Sequence, residues 1–143
     1  MTNYLQLSCV GILTHVHVIP TQVEEELRSI PLRMAEAWTR GSAEDFSAAF
    51  ADDADFIIFD GTQLHGRENI RAFHQQIFDT LVKDTRLEAE VKLIRFSGSD
   101  VAVIHSVARM AFAGEAQTSA SRNSTQLFVA GKRRREWLRH CGG

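Results

Sequence analysis

The sequence contains only two cysteines, Cys9 and Cys141, near opposite ends of the chain and with no C-x-x-C pair. Neither a disulfide framework nor a structural zinc site of the usual spacing is therefore expected, and a reducing, cytoplasmic setting is the default. Proline is as scarce, with two residues, and nine glycines place the chain outside the collagen-like and low-complexity classes. There is no excess of one charge: sixteen Lys and Arg stand against eighteen Asp and Glu. Without one-sided basicity, nucleic acid is not an expected partner. No run of eighteen apolar residues is present to cross a membrane. Residues 1–20 are fairly apolar, but they have no Lys or Arg ahead of the apolar part and are not read as a signal peptide.

What remains is the composition of one globular core. The 143 residues are 44% hydrophobic and 24% charged, which suits a single domain and is too short for two ordinary ones. The hydrophobic period changes along the chain. Thr21 and Glu24 have the spacing of a capping box, and Val23, Leu27, Ile30, Met34 and Trp38 then predict an amphipathic helix ending near Arg40-Gly41. Pro31 either kinks that helix or marks the first turn of a shorter one. Ser42 and Asp45 repeat the capping pattern before a short helix bearing Phe46, Ala49 and Phe50. Phe56 to Phe59 reads as a strand, with Asp60-Gly61 turning into Thr62 to His65. Ile70, Phe73, His74, Ile77, Phe78 and Leu81 lie on one face of a third helix. From Arg86 the period becomes two, with Leu87, Ala89, Val91 and Leu93 opposite Glu88, Glu90 and Lys92. Val101 to Phe112 and Arg122 to Ala130 are further strands, and Trp137-Leu138 begins a last one. The expected class is α+β, with helices packed on one face of a mostly antiparallel sheet.

Several stretches together carry a family resemblance. They are Phe50-Ala51-Asp52-Asp53-Ala54-Asp55-Phe56, then Gly61-Thr62, Leu64-x-Gly66-Arg67-x-x-Ile70 and His74. Asp100 to His105, Arg122 with Thr125-Gln126-Leu127, and Trp137 after a turn follow in order. This series resembles the nuclear transport factor 2-like superfamily, also called SnoaL-like, nearest its SgcJ/EcaC branch. The resemblance implies a cone-shaped, cystatin-like fold in which a curved sheet wraps three helices around an apolar pocket, usually in a homodimer. It sets the domain at 21–138, with 1–20 an N-terminal extension and 139–143 a divergent tail. The superfamily holds isomerases, cyclases, hydrolases and dehydratases as well as proteins that only bind, so fold alone does not fix the reaction. In such relatives a central last strand continues beyond the tryptophan. Here Trp137-Leu138 is followed by Arg139-His140-Cys141-Gly142-Gly143, so the expectation is a strand lost by truncation or frameshift, which would leave its neighbours' backbone groups unpaired and the chain either less stable than its relatives or, as a third reading beside enzyme and binder, a damaged relative.

Candidate chemistry is sparse. His74 is either a core histidine with one satisfied hydrogen bond or an acid or base at the edge of a pocket. Asp60 lies two residues beyond Ile58, which stands where ketosteroid isomerase-like relatives keep their base. It is either a base with a raised pKa in an apolar cone or an ordinary hairpin residue. Asp55 is expected to be structural or to bind near Arg67. Trp38, Phe46, Phe50, Phe56, Phe59 and Phe78 are either core or walls suited to a flat polycyclic ligand. Alternation puts Arg122 and Gln126 on one face, and His105 and Arg109 on a face with Val103 and Val107 that can point inward or outward. Asp60 and His74 are thus the candidate catalytic residues. Trp38, Phe46, Phe50, Ile58, His105, Arg109, Arg122 and Gln126 are the candidate substrate-binding residues. His15-x-His17 lacks a third ligand, and no metal or cofactor is expected. Lys132 to Arg135 reads as a solvated turn. The expected function is a homodimer that binds a hydrophobic, carbonyl-bearing polyketide- or steroid-like molecule, as a cofactor-free isomerase, cyclase or hydrolase. The alternative is a non-catalytic ligand-binding or dimerising accessory protein.

Overall fold

The first helix, α1 (Thr21–Arg40), buries Leu27, Ile30, Met34 and Ala37 along one stripe. Its start differs from the capping-box expectation. Pro20 is the cap residue and its carbonyl accepts from Val23 N at 2.9 Å, while Glu24 turns outward to Arg28 at 2.7 Å. The helix continues through Pro31, which is buried, so the shorter alternative is not realised. It stops at Gly41, whose φ of +68° is a left-handed conformation that costs glycine little. In α2 (Ala43–Ser47) the Ser42 hydroxyl accepts from Asp45 N at 3.2 Å, as its spacing indicated.

This computed structural model describes residues 20–117, 122–133 and 136–142, and Cys9 and His15-x-His17 lie outside that set. After α2 come β1 (Phe50–Ile57), β2 (Gln63–His65), α3 (Arg67–Asp79), β3 (Arg86–Ser97), β4 (Val101–Ala111), β5 (Asn123–Arg133) and β6 (Glu136–Gly142). The strands form one sheet in the order β2-β1-β6-β5-β4-β3. All neighbours are antiparallel except β1 and β6, which run parallel. The expected loss of the last strand is corrected here. β6 runs past Leu138 to Gly142, lies between β1 and β5, and pairs with both, so their inner edges are covered. The register is irregular: Phe50 lies opposite Arg139 and Asp55 opposite Cys141, so five steps along β1 match two along β6, as a bulged strand would give.

The Gly66-Arg67 step fastens α3 to β1. Gly66 donates to Ala54 O at 2.8 Å with φ +86°, and a Cβ there would meet Asp52 O at 3.4 Å, so a side chain would be strained. Arg67 Nε donates to Phe50 O at 2.8 Å and its guanidinium lies 3.2 Å from Asp52. Of the two expectations for Asp55 the structural one fits: it engages His65 at 2.8 Å and Gln63 at 3.1 Å on β2 rather than the backbone near Arg67. The connection between β1 and β2 is longer than a two-residue turn: Ile58 N bonds Thr62 O at 2.9 Å, closing a loop over 58–62.

β3 carries a bulge at Lys92 that regular alternation does not foresee. Val91 pairs with Ser106 but Leu93 already pairs with His105, so the extra residue switches the faces. Leu87, Ala89 and Val91 face inward before it; Ile94 and Phe96 do so after it, opposite Ile104 and Ala102. Leu93, expected with the inward set, is left 42% exposed on the outer face. The inner face joins the helices in one core that includes Phe50, Ile70, Ile104 and Phe128.

Candidate functional site

Where the inner face of the sheet meets α1 and α3, a cavity of about 530 Å³ opens. That falls in the ordinary range for small-molecule pockets, roughly 300–1,000 Å³. Its walls are mainly apolar: Trp38 from α1, Phe56 from β1, Phe73 and Ile77 from α3, and Leu87 and Met110 from β3 and β4. Polar lining residues Asp60, Gln76, Thr80 and Ser124 are exposed and therefore sit toward solvent. Arg122 is partly buried, and His74 is only 2% exposed.

The helix places His74 with the same stripe that buries Ile70 and Phe78, so the imidazole enters the core rather than the solvent. Its ring stacks on Phe46 with centroids 4.1 Å apart and 29° between planes. Phe56 meets it edge-on at 5.2 Å and Phe78 at 5.8 Å. Nδ1 lies 2.7 Å from Ile70 O, and a carbonyl can only accept, so Nδ1 carries the proton. Burial pushes the histidine pKa down to about 4, partly opposed by that backbone hydrogen bond. Near neutral pH the ring is an uncharged Nδ1–H tautomer.

Asp60 reaches the mouth of the cavity but is exposed. Its carboxylate accepts from Thr62 N at 2.8 Å, and that backbone donor holds its pKa below the ordinary carboxylate value. The burial that would have raised it is absent, because the 58–62 loop turns the side chain back onto its own backbone.

The other candidates divide clearly. Trp38, Ile58 and Arg122 line the cavity. Trp38 Nε1 donates to Thr85 Oγ1 at 2.8 Å, which fixes the indole as a wall. Arg122 makes two bonds to Glu115, at 2.7 and 2.8 Å, and its guanidinium lies 4.8 Å from the centre of the Phe112 ring. Phe46 and Phe50 do not line the cavity. They are buried beneath it, and Phe46 acts through its stack on His74. His105 and Arg109 are corrected to the outer face, because the alternate positions Ala102, Ile104, Ser106 and Ala108 are the ones buried against the helices. Arg109 pairs there with Glu90 at 2.9 Å. Gln126 is on the inner face, opposite Ser106, but it accepts from the Ser106 hydroxyl at 3.1 Å and is not part of the cavity wall.

Sequence reasoning did not single out Phe73, Ile77, Val82, Leu87, Met110 and Ser124 as lining residues. Phe73 and Ile77 lay on the recognised stripe of α3. Met110 and Ser124 share the inner face with Ile104 and Gln126, so fixing that face from the Ala-Ile-Ser-Ala alternation of β4 would have found them.

Among the described residues, no group of three or more His, Cys, Asp or Glu gathers in a metal-binding arrangement, and no helix is long and apolar enough to cross a membrane. Comparison with known proteins bears on the family. Residues 32–133 match the SnoaL-like domain. The chain is similar to a domain of unknown function with a cystatin-like fold from Nostoc punctiforme, at 46% identity and TM-score 0.82, covering 87% of this chain and 76% of that one. It is also similar in structure to a nuclear transport factor 2-like protein with a cystatin-like fold from Novosphingobium aromaticivorans. That match has 16% identity and TM-score 0.71, covering 83% and 78%. Aln2 from a Streptomyces species matches at 13% identity and TM-score 0.71, covering 88% and 91%. Comparison with curated proteins gave no match.

The depressed pKa of His74 has a measurable consequence. The group titrates near 4 when folded and near 6.5 in its ordinary state, so between these values the unfolded chain binds the proton first. Its stabilising contribution is complete above the ordinary value and is lost as pH falls through the window. In urea unfolding, wild type should lose about 2–3 kcal/mol more than His74→Phe between pH 7 and about pH 4.5. Parallel losses in the two proteins would contradict a buried neutral imidazole.

Proposed function

Because this chain belongs to the SnoaL-like family within the nuclear transport factor 2-like superfamily, we propose that it binds an apolar, ring-containing small molecule in the cavity between α1, α3 and the sheet. The observation that carries this reading is a cavity of about 530 Å³ with aromatic and aliphatic walls and one buried polar side chain, His74. Aromatic and aliphatic walls gain on the order of 25 cal/mol for each Å² of apolar ligand surface they remove from water, while a few polar groups set orientation.

Binding is favoured over catalysis by the state of the two candidate bases. An efficient general base titrates near the working pH. Asp60 is solvent-exposed with its pKa lowered, and His74 is held near 4. Neither is tuned in the required direction, so a ligand-binding or accessory role fits better than a cofactor-free isomerase, cyclase or hydrolase.

The outer face of the sheet supports pairing of two copies. Val103, His105 and Val107 of β4 share it with Leu93 of β3 and Leu127 and Val129 of β5, and Leu127 is 50% exposed. A face of this kind, next to the paired charges Arg109 and Glu90, suits a second sheet laid against it.

Two measurements test these readings. Nile red should bind the wild-type chain with enhanced emission, and Met110→Trp, which narrows the cavity, should weaken that binding by about tenfold or more while the protein remains folded by circular dichroism. Unchanged binding would place the dye elsewhere and contradict the cavity reading. In sedimentation velocity, the wild type should run as a dimer and Leu127→Glu as a folded monomer; a wild type that is monomeric at tens of micromolar would contradict the pairing.

A further inference from the structure

His74, the buried polar side chain in the cavity wall, restricts what can occupy the cavity. Ile70 O fixes the proton of His74 on Nδ1 at 2.7 Å, so the other ring nitrogen, Nε2, presents a lone pair. Among the described residues no side chain or backbone group donates to Nε2; His74 meets Ile70 O and its aromatic neighbours. The ring is also held in place. Phe46 covers one side by stacking, and Phe56, Trp38 and Phe78 approach edge-on, so exchanging the two nitrogens would mean breaking the Ile70 bond inside a packed aromatic cluster.

Once a ligand fills the cavity and displaces its water, an acceptor left unpaired at Nε2 costs more than a typical hydrogen bond gains. A ligand that brings an O–H to Nε2 removes that cost. A ligand that brings only a carbonyl or ether oxygen sets two lone pairs against each other and removes nothing. The exposed polar residues Asp60, Gln76, Thr80 and Ser124 have water to satisfy them, and Arg122 is already bonded twice to Glu115, so none imposes a comparable demand.

We propose that the ligand is a hydroxyl-bearing ring system, a phenol or an enol, whose O–H donates to Nε2 of His74, and that the protein rejects the matching ether or ketone. This rests on the cavity being the binding site and revises the carbonyl-bearing ligand expected from the sequence. His74 is then a specificity-determining acceptor, and its neutrality, forced by burial, is what makes it one.

The test uses the full wild-type chain at neutral pH and three probes of one size: β-naphthol, β-naphthyl methyl ether and methyl β-naphthyl ketone. By calorimetry or equilibrium dialysis, β-naphthol should bind about tenfold tighter than the other two. In His74→Phe that preference should vanish while the ether and ketone bind as before. The wild-type series decides the matter even if the variant does not fold. Equal affinities for the three, each lost in Met110→Trp, would overturn the hydroxyl requirement and leave the cavity reading standing. Binding of none of them would overturn both.

Discussion

The hydrogen bond from His74 Nδ1 to Ile70 O, made inside an aromatic cluster, is the constraint around which the site is organised. An imidazole only 2% exposed and stacked on Phe46 at 4.1 Å has no water to support a charge, so it stays neutral. A neutral imidazole with one nitrogen committed to its own helix has one acceptor left, Nε2, and no donor. The tautomer, the direction of the pKa shift and the choice of ligand group are three consequences of one placement. That placement follows from α3, which carries His74 on the same stripe as Ile70 and Phe78.

The sheet provides the other half of the cavity by sorting side chains between two faces. Its inner face is lined by small residues in β4, Ala102, Ser106 and Ala108, with Ile104 between them, and all four are fully buried. Small side chains there let the helices approach closely, and the space left near Leu87 and Met110 is the cavity. The bulge at Lys92 keeps β3 in step with this division along its whole length, handing the inward role from Val91 to Ile94. A strand without it would have put Ile94 and Phe96 outward and left the core short of both.

Much of this order was legible in the sequence. The period of three to four placed His74, Ile77 and Phe78 on one helical face, and several stretches from Phe50 to Trp137, taken in order, pointed to the SnoaL-like family. Other features depend on information that local patterns do not hold. Whether His105 or Ile104 faces the helices is a two-fold choice that alternation leaves open, since both faces of β4 carry apolar residues. The bulge costs one residue and has no compositional mark at Lys92. Asp60 looked like a base because of its spacing from Ile58, but its backbone bond to Thr62 belongs to a loop whose length only the pairing of β1 and β2 reveals. The central place of β6 depends on long-range pairing with β1 and β5, which the short run after Trp137 does not advertise.

The state of His74 is open to direct observation. Long-range proton–nitrogen correlation NMR of the nitrogen-labelled chain at neutral pH distinguishes the two neutral tautomers from the imidazolium. The expected result is a protonated Nδ1 and an unprotonated Nε2. A proton on Nε2, whether in the opposite tautomer or in a charged ring, would contradict the buried acceptor and the ligand selection derived from it.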